Sequence, residues 1–190
     1  MPASTPDIVY LHGFQSGPAS AKARETAAWL GQHCPDWRFH APKLSPYPAQ
    51  AVAQADALLA GLGQPLLLGS SLGGYYASWL AERHDCRAVL INPAIRPYDD
   101  LARFLGDNQS PWTGERFTLT PAHMDELLAL RVERPRAARY WLVLGTQDEV
   151  LDWREAARCY RGARMTVFNG DDHRLQRWPE CLPELARWAV

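Results

Sequence analysis

The run Leu66-Leu67-Leu68-Gly69-Ser70-Ser71-Leu72-Gly73-Gly74-Tyr75-Tyr76 constrains this chain more than any other stretch. A short apolar segment stops at Gly-x-Ser-x-Gly, and a helical pattern over 72–83 starts at once. That is the context a serine needs to be lifted onto a tight turn between a strand and a helix. Gly69 and Gly73 flank Ser71 where a Cβ would press on neighbouring backbone, and Gly74 lets the helix begin close to the sheet. The helix start adds free N–H groups and positive partial charge beside the hydroxyl. Five-residue patterns of this kind also arise by chance in Gly/Ser loops. The strand before this one and the helix after it argue for chemistry.

Strands and helices alternate on either side. A strand is expected over 8–11, followed by the loop His12-Gly13-Phe14 and a helix over 21–33. Ser20 is placed as that helix's N-cap, with Ala27, Trp29 and Leu30 offered to the core. A weaker strand over 37–41 and an Ala-rich helix over 49–62 come next. The elbow strand (66–69) and helix (72–83) lead to a strand over 87–91, closed by Asn92-Pro93. Between 94 and 138 the alternation lapses into a short helix (98–105), a polar loop (106–115) and a helix (about 121–130). It resumes with a strand over 140–144, a helix over 153–160, a strand over 165–168 and a last helix over about 178–188. Such a pattern predicts one α/β domain over 1–190, with 94–138 as a cap-like insertion. The expected core is a doubly wound, mostly parallel six-stranded sheet, order 2-1-3-4-5-6, with helices on both faces. Ligands bind such sheets at the carboxyl ends of the strands, near the switch point between strands 1 and 3. The first turn lacks Gly-x-Gly-x-x-Gly, which disfavours a dinucleotide site.

At 190 residues, 47% hydrophobic and 22% charged, the chain can bury one sizeable core. A net charge of −1 supplies no electrostatic case for nucleic acid or anionic membrane. Acids and apolar residues interrupt the cluster Arg131, Arg134, Arg136 and Arg139, as in a solvated loop. No apolar stretch approaches the ~20 residues of a membrane span. Cys34, Cys86, Cys159 and Cys181 are widely spread, which suits free thiols in a reducing compartment better than zinc or a disulfide framework. The stretch 1–7 has no basic segment followed by an apolar one, so no signal peptide is read and a cytoplasmic, soluble protein is expected.

A serine hydroxyl becomes a nucleophile when a base takes its proton and a third group orients the base. With the serine on a strand–helix turn, the acid and then the histidine follow it in chain order. His123 and His173 follow Ser71 in loops or at element ends. His173 comes directly after the last strand, in Asn169-Gly170-Asp171-Asp172-His173, and is the expected base. Asp148, in the loop after the preceding strand, is the expected acid; Asp152 competes with it but also suits the N-cap of the next helix. Asp171 and Asp172 lie close enough in sequence for one of them to contact the ring. The oxyanion hole is expected from the backbone N–H groups of Leu72 and Phe14. His12 and Gly13 border the same loop, His12 bracing it by hydrogen bonding. Trp112 and Phe117, with Phe104, Leu105, Leu119 and Met124, make the insertion more apolar than a solvated loop needs. Either they pack the insertion onto the body, or some, Trp112 and Phe117 first, join His12 and Gly13 in lining the substrate site, with 106–114 as the mobile part.

These residues resemble the α/β-hydrolase superfamily and, more closely, the small bacterial YqiA-type esterases. The resemblance runs from Tyr10-Leu11-His12-Gly13-Phe14 to the His173 loop. It includes Ser20-Ala21-Lys22-Ala23, Pro46-Tyr47-Pro48, the elbow, Asn92-Pro93-Ala94, Arg96-Pro97 and Asp148-Glu149-Val150-Leu151-Asp152. It implies a minimal α/β-hydrolase fold with a small cap and a serine esterase acting on small-molecule acyl esters or thioesters, without metal or organic cofactor. The nucleophile, acid and base fall on Ser71, Asp148 and His173. The chain departs from the family after the histidine, where Arg174-Leu175 replace small and aromatic residues. Thioester cleavage or acyl transfer on the same triad, and a non-catalytic binding module that keeps the fold, are the alternatives.

Overall fold

A computed structural model describes residues 6–189; most of the stretch read for a signal peptide, 1–5, lies outside them. β1 (Asp7–Leu11) leads to α1 (Ala21–His33), β2 (Arg38–His40) to α2 (Pro48–Ala60), and β3 (Leu66–Ser70) to α3 (Leu72–His84). After β4 (Ala88–Ile91) the insertion holds α4 (Pro97–Asp100), a 3₁₀ turn, β5 (Gly106–Gln109), β6 (Arg116–Leu119) and α5 (Pro121–Ala129). The body closes with β7 (Tyr140–Gly145), α6 (Trp153–Cys159), β8 (Arg164–Phe168), a 3₁₀ turn (Trp178–Cys181) and α7 (Leu182–Ala189).

The main sheet has six strands in the order β2-β1-β3-β4-β7-β8, every pairing parallel. Counting only its own strands, this is the predicted 2-1-3-4-5-6; β5 and β6 form a separate hairpin. Both faces are covered, so β1, β3, β4 and β7 are buried at every position and, Asp7 and Ser70 at the strand ends apart, read as apolar runs. Alternate residues go to opposite faces. Val9, Leu11 and Leu67 pack with α2, α3 and α6, whereas Ile8, Tyr10, Leu66 and Leu68 pack with α1, the 178–181 turn and α7. Each fully buried side chain of this size contributes about 1.5–3 kcal/mol relative to exposure.

The structure differs from the predicted elements in several places, among them the helix expected over 98–105, which divides into α4 and a 3₁₀ turn (Leu101–Phe104). The polar loop over 106–115 contains β5, paired antiparallel with β6 from Gly106↔Leu119 to Gln109↔Arg116. Its residues are polar and mostly exposed, so no burial pattern betrays the strand. On α1 the buried residues are Ala23, Thr26 and Leu30, while Ala27 is exposed. Thr26 can be buried because its Oγ1 donates to the Lys22 carbonyl (2.7 Å) and accepts from Trp178 Nε1 (2.9 Å). Ser20 stands at the N-cap of α1, but its hydroxyl does not cap the helix; it donates to the Tyr10 hydroxyl at 3.1 Å. The last helix is split into a 3₁₀ turn and α7, because Pro179 and Pro183 lack the N–H groups a continuous helix would use. All four cysteines are free thiols. No helix among the described residues is long and apolar enough to cross a membrane.

Candidate active site

The carboxyl ends of β1, β3, β7 and β8 bring Gly13, Ser71, Asp148 and His173 to one edge of the sheet. Ser71 is held at φ 55° and ψ −120°, a left-handed conformation that costs a non-glycine residue about 1–3 kcal/mol. Backbone bonds impose it. The Ser71 N–H donates to the Ile91 carbonyl (3.0 Å), and its own carbonyl accepts from Gly74 (2.9 Å) and Ala94 (3.1 Å). The turn closes only because Gly69 and Gly73 lack side chains. A Cβ on Gly69 would lie 2.6 Å from Gly74 Cα, and one on Gly73 would lie 2.7 Å from the His12 carbonyl oxygen. The same crowding brings the Gly13 backbone against Ser71, 3.1 Å from a built Cβ to the Ser71 Cβ.

His173 Nδ1 lies 2.8 Å and 2.9 Å from the two carboxylate oxygens of Asp148. A carboxylate only accepts, so Nδ1 carries a proton, and in the neutral ring Nε2 is then the nitrogen with the lone pair. Asp148 Oδ1 also accepts from the Val150 and Leu151 N–H groups, both at 2.8 Å, which fixes the carboxylate in place. The Asp148 side chain is 1% exposed and that of His173 21%, so the pair is shielded on the acid side and open on the histidine side. Ser71 and His173 line one cavity of about 330 Å³ together with Gly13, Phe14 and Trp112. A second cavity of about 260 Å³ is lined by His12, Gly13, Phe14, Leu44, Leu72, Tyr76, Trp112 and Phe117.

The remaining candidates fall as follows. Leu72 opens α3, so its N–H has no acceptor within the helix. Phe14 packs its ring against Phe104 (centroids 5.1 Å) and edge-on to Phe117 (6.1 Å), joining the first loop to the insertion. His12 Nε2 accepts from the Leu44 N–H (3.1 Å), leaving the Nδ1 proton for the Gly13 carbonyl (3.0 Å). It braces its own loop as expected and also ties it to the loop at Leu44, and burial holds its pKa below the ordinary imidazole value. Trp112 lies over Gly17 and is 48% exposed, and Lys43 ties its hairpin to the body through Glu115 (2.9 Å). Asp152 is the N-cap of α6, accepting from the Arg154 N–H at 3.0 Å. The other histidines have partners elsewhere. His40 pairs with Asp7 and His84 with Asp56, His33 reaches the Trp29 carbonyl, and His123 completes the capping box of α5.

Three residues outside the expected triad, Asp171, Glu149 and Asn92, hold the His173 loop. Asp171 does not touch the imidazole. Its carboxylate accepts from the backbone N–H groups of Asp172 (3.1 Å), Gln176 (3.0 Å) and Arg177 (3.1 Å). Glu149 accepts from the His173 N–H at 3.0 Å. Asn92, buried at the end of β4, donates Nδ2 to the carbonyls of Asp172 (3.0 Å) and His173 (3.2 Å) and accepts the Gly145 N–H at Oδ1 (2.8 Å). One side chain thus ties the elbow's neighbour strand to the loops of both the acid and the base. Its place at the carboxyl end of a central strand was the available signal. Asn92→Ala should lower kcat on the order of tenfold or more, because a displacement of about 1 Å in a reacting group can cost as much as 100-fold. Steady-state kinetics beside thermal melting check this: a fall in Tm with kcat unchanged would reduce Asn92 to scaffolding.

Over residues 7–189 the sequence matches the family described as Uncharacterised protein family (UPF0227). UPF0227 protein YcfP of Salmonella gallinarum is 25% identical over 185 residues, 95% of each chain. Est1E from Butyrivibrio proteoclasticus superposes with a TM-score of 0.75 at 16% identity, covering 99% of this chain and 89% of that one. Mouse alpha/beta hydrolase domain-containing protein 10 gives a TM-score of 0.74 at 15% identity, covering 99% and 91%. At these identities the two structures speak to the fold alone.

Proposed function

Because this chain belongs to the UPF0227 family and has the α/β-hydrolase fold, we propose that it is a serine hydrolase cleaving acyl esters through Ser71, His173 and Asp148. The observation that carries this reading is the Asp148 carboxylate on Nδ1 of His173, a residue that lines one cavity together with Ser71. His173 Nε2 takes the Ser71 proton as Oγ attacks the ester carbonyl, and Asp148 stabilises the imidazolium that forms. The backbone N–H groups of Phe14 and Leu72 receive the developing oxyanion. The tetrahedral species collapses as His173 protonates the leaving oxygen, leaving an acyl group on Ser71. Water then attacks the acyl carbonyl while His173 takes its proton, and the second tetrahedral species collapses with cleavage of the acyl–Oγ bond, Ser71 regaining the proton from His173 as the acid leaves. A fluorophosphonate probe should label the wild-type protein and not Ser71→Ala; no labelling of either would overturn the reading.

The insertion acts in this reading as a small cap, with the 260 Å³ cavity under Trp112 and Phe117 as the acyl pocket. Each buried methylene contributes about 0.8 kcal/mol, or roughly fourfold in kcat/KM, until the pocket is full. On p-nitrophenyl esters kcat/KM should rise with acyl length through short and medium chains and then fall. Trp112→Ala, at an exposed position, should move the maximum to longer chains. A flat profile from acetate to palmitate, unchanged in that variant, would show that the cap does not select the acyl group.

A further inference from the structure

Two cavities share Gly13, Phe14, Ser16 and Trp112 in their linings; Ser71 lines the second, and their chemistry differs. The first is bordered by Leu44, Leu72, Tyr76 and Phe117, its charged lining residues Lys43 and Glu115 are paired with each other, and it suits an apolar chain. The second runs from Ser71 and His173 to the start of α1 and the turn after the histidine, where Lys22 and Arg174 line it; none of its lining residues is an aspartate or glutamate. Lys22 is half-buried and Arg174 exposed at the mouth. Among the described residues neither side chain makes an ion pair or hydrogen bond. Arg177, three positions on, is by contrast bound to Glu180 at 2.7 Å.

The fold holds both cations in place at some cost. Leu175 has φ 47°, strained for its residue type, and is 1% exposed; its buried side chain anchors the turn that presents Arg174. Burial lowers the Lys22 ammonium to about 8, and Arg174 pushes in the same direction. The carboxylates of Glu25, Asp172 and Asp148 oppose this, and none of them lines the cavity. A half-buried ammonium and a guanidinium lining one cavity, with no carboxylate in that lining, are poor scaffolding and good anion recognition.

The reaction sets which end of the substrate meets them. His173 must protonate the departing oxygen, so the leaving group lies on the His173 side, in the cavity with Lys22 and Arg174. The oxyanion donor Leu72 borders the other cavity. Resting on the serine-hydrolase reading above, we propose that the substrates are esters with an apolar acyl chain and an anionic leaving group, whose carboxylate or phosphate is held by Lys22 and Arg174.

The test uses hexanoyl esters of three phenols of similar acidity: 4-hydroxyphenylacetamide (neutral), 4-hydroxyphenylacetate and 4-hydroxybenzylphosphonate. The wild-type protein should favour at least one anionic ester over the amide by about tenfold or more in kcat/KM at low salt. The two anionic arms separate a carboxylate from a phosphate-like head. Lys22→Met and Arg174→Gln should each bring the anionic-to-neutral ratio most of the way towards one. As pH rises through about 8, Lys22 loses its proton and the ratio should fall. The esters share the same catalytic groups, whose contribution divides out of the ratio. In parallel, calorimetry on Ser71→Ala should show 4-hydroxyphenylacetate or the phosphonate binding more tightly than the amide, and Lys22→Met in that background should remove the difference. A ratio near one in the wild type, or one that survives in both variants, overturns the proposal. Failure to hydrolyse any ester together with absent fluorophosphonate labelling overturns the Ser71 reading instead, and the calorimetry then decides on anion recognition by itself.

Discussion

Ser71→Ala and His173→Ala are each expected to lower kcat by about 10⁴-fold or more while the protein stays folded, and the double variant to be little worse than either. The non-additivity follows from the chemistry. Without the base the hydroxyl is not a nucleophile, and without the hydroxyl the base has nothing to activate, so the second deletion removes what the first has already disabled. The fold should survive both changes. Alanine keeps the Ser71 Cβ, and the bonds that hold its φ of 55° are made by backbone atoms, to Ile91, Gly74 and Ala94. The His173 ring is 21% exposed, and its loop is held through backbone bonds to Asn92, Glu149 and Asp171. Active-site titration and circular dichroism on the three variants check both halves. Retention of a tenth of the activity in Ser71→Ala would remove the serine from its role.

Asp148→Asn should also lower kcat by about 10⁴-fold, with a modest change in Tm. The amide matches the carboxylate in shape, and its oxygen can still accept the Val150 and Leu151 N–H groups. Its nitrogen, however, would then face His173 Nδ1 as a donor. The imidazole would have to place its proton on Nε2, where it cannot receive one from Ser71. Asp152→Ala separates this effect from ordinary helix capping. Asp152 stands at the start of α6, and losing its bond to the Arg154 N–H should lower Tm slightly and leave kcat within a few-fold. Kinetics and melting of the two variants decide; the reverse pattern would exchange the roles of the two aspartates.

Much of this arrangement is legible before any coordinates. Short strands buried on both faces leave apolar runs, so β1, β3, β4 and β7 announce themselves, and their alternation with helices yields the sheet order. The elbow is legible because backbone crowding admits only glycine at positions 69 and 73. Asp148 and His173 stand out as candidates from their places after strands, and the structure brings their side chains together. Where polarity and burial disagree, the reading fails. Thr26 is buried on α1 because Trp178, 152 positions away, supplies a hydrogen bond, and Ala27 is left outside. β5 is a polar, largely exposed strand whose existence depends on its pairing with β6.

The local code therefore determined the elements, their order and the positions at which a nucleophile, an acid and a base could stand. Tertiary structure decided how those positions are held and what surrounds them. Asn92 reaches loops 80 and 81 positions away, and Lys22 and Arg174 border one cavity from opposite ends of the chain. The physical reason is one of range. Periodicity, capping and turn chemistry act over a few residues and leave a local trace, whereas a hydrogen bond or a charge pair across the fold depends on side chains that only the packed sheet brings within a few ångströms.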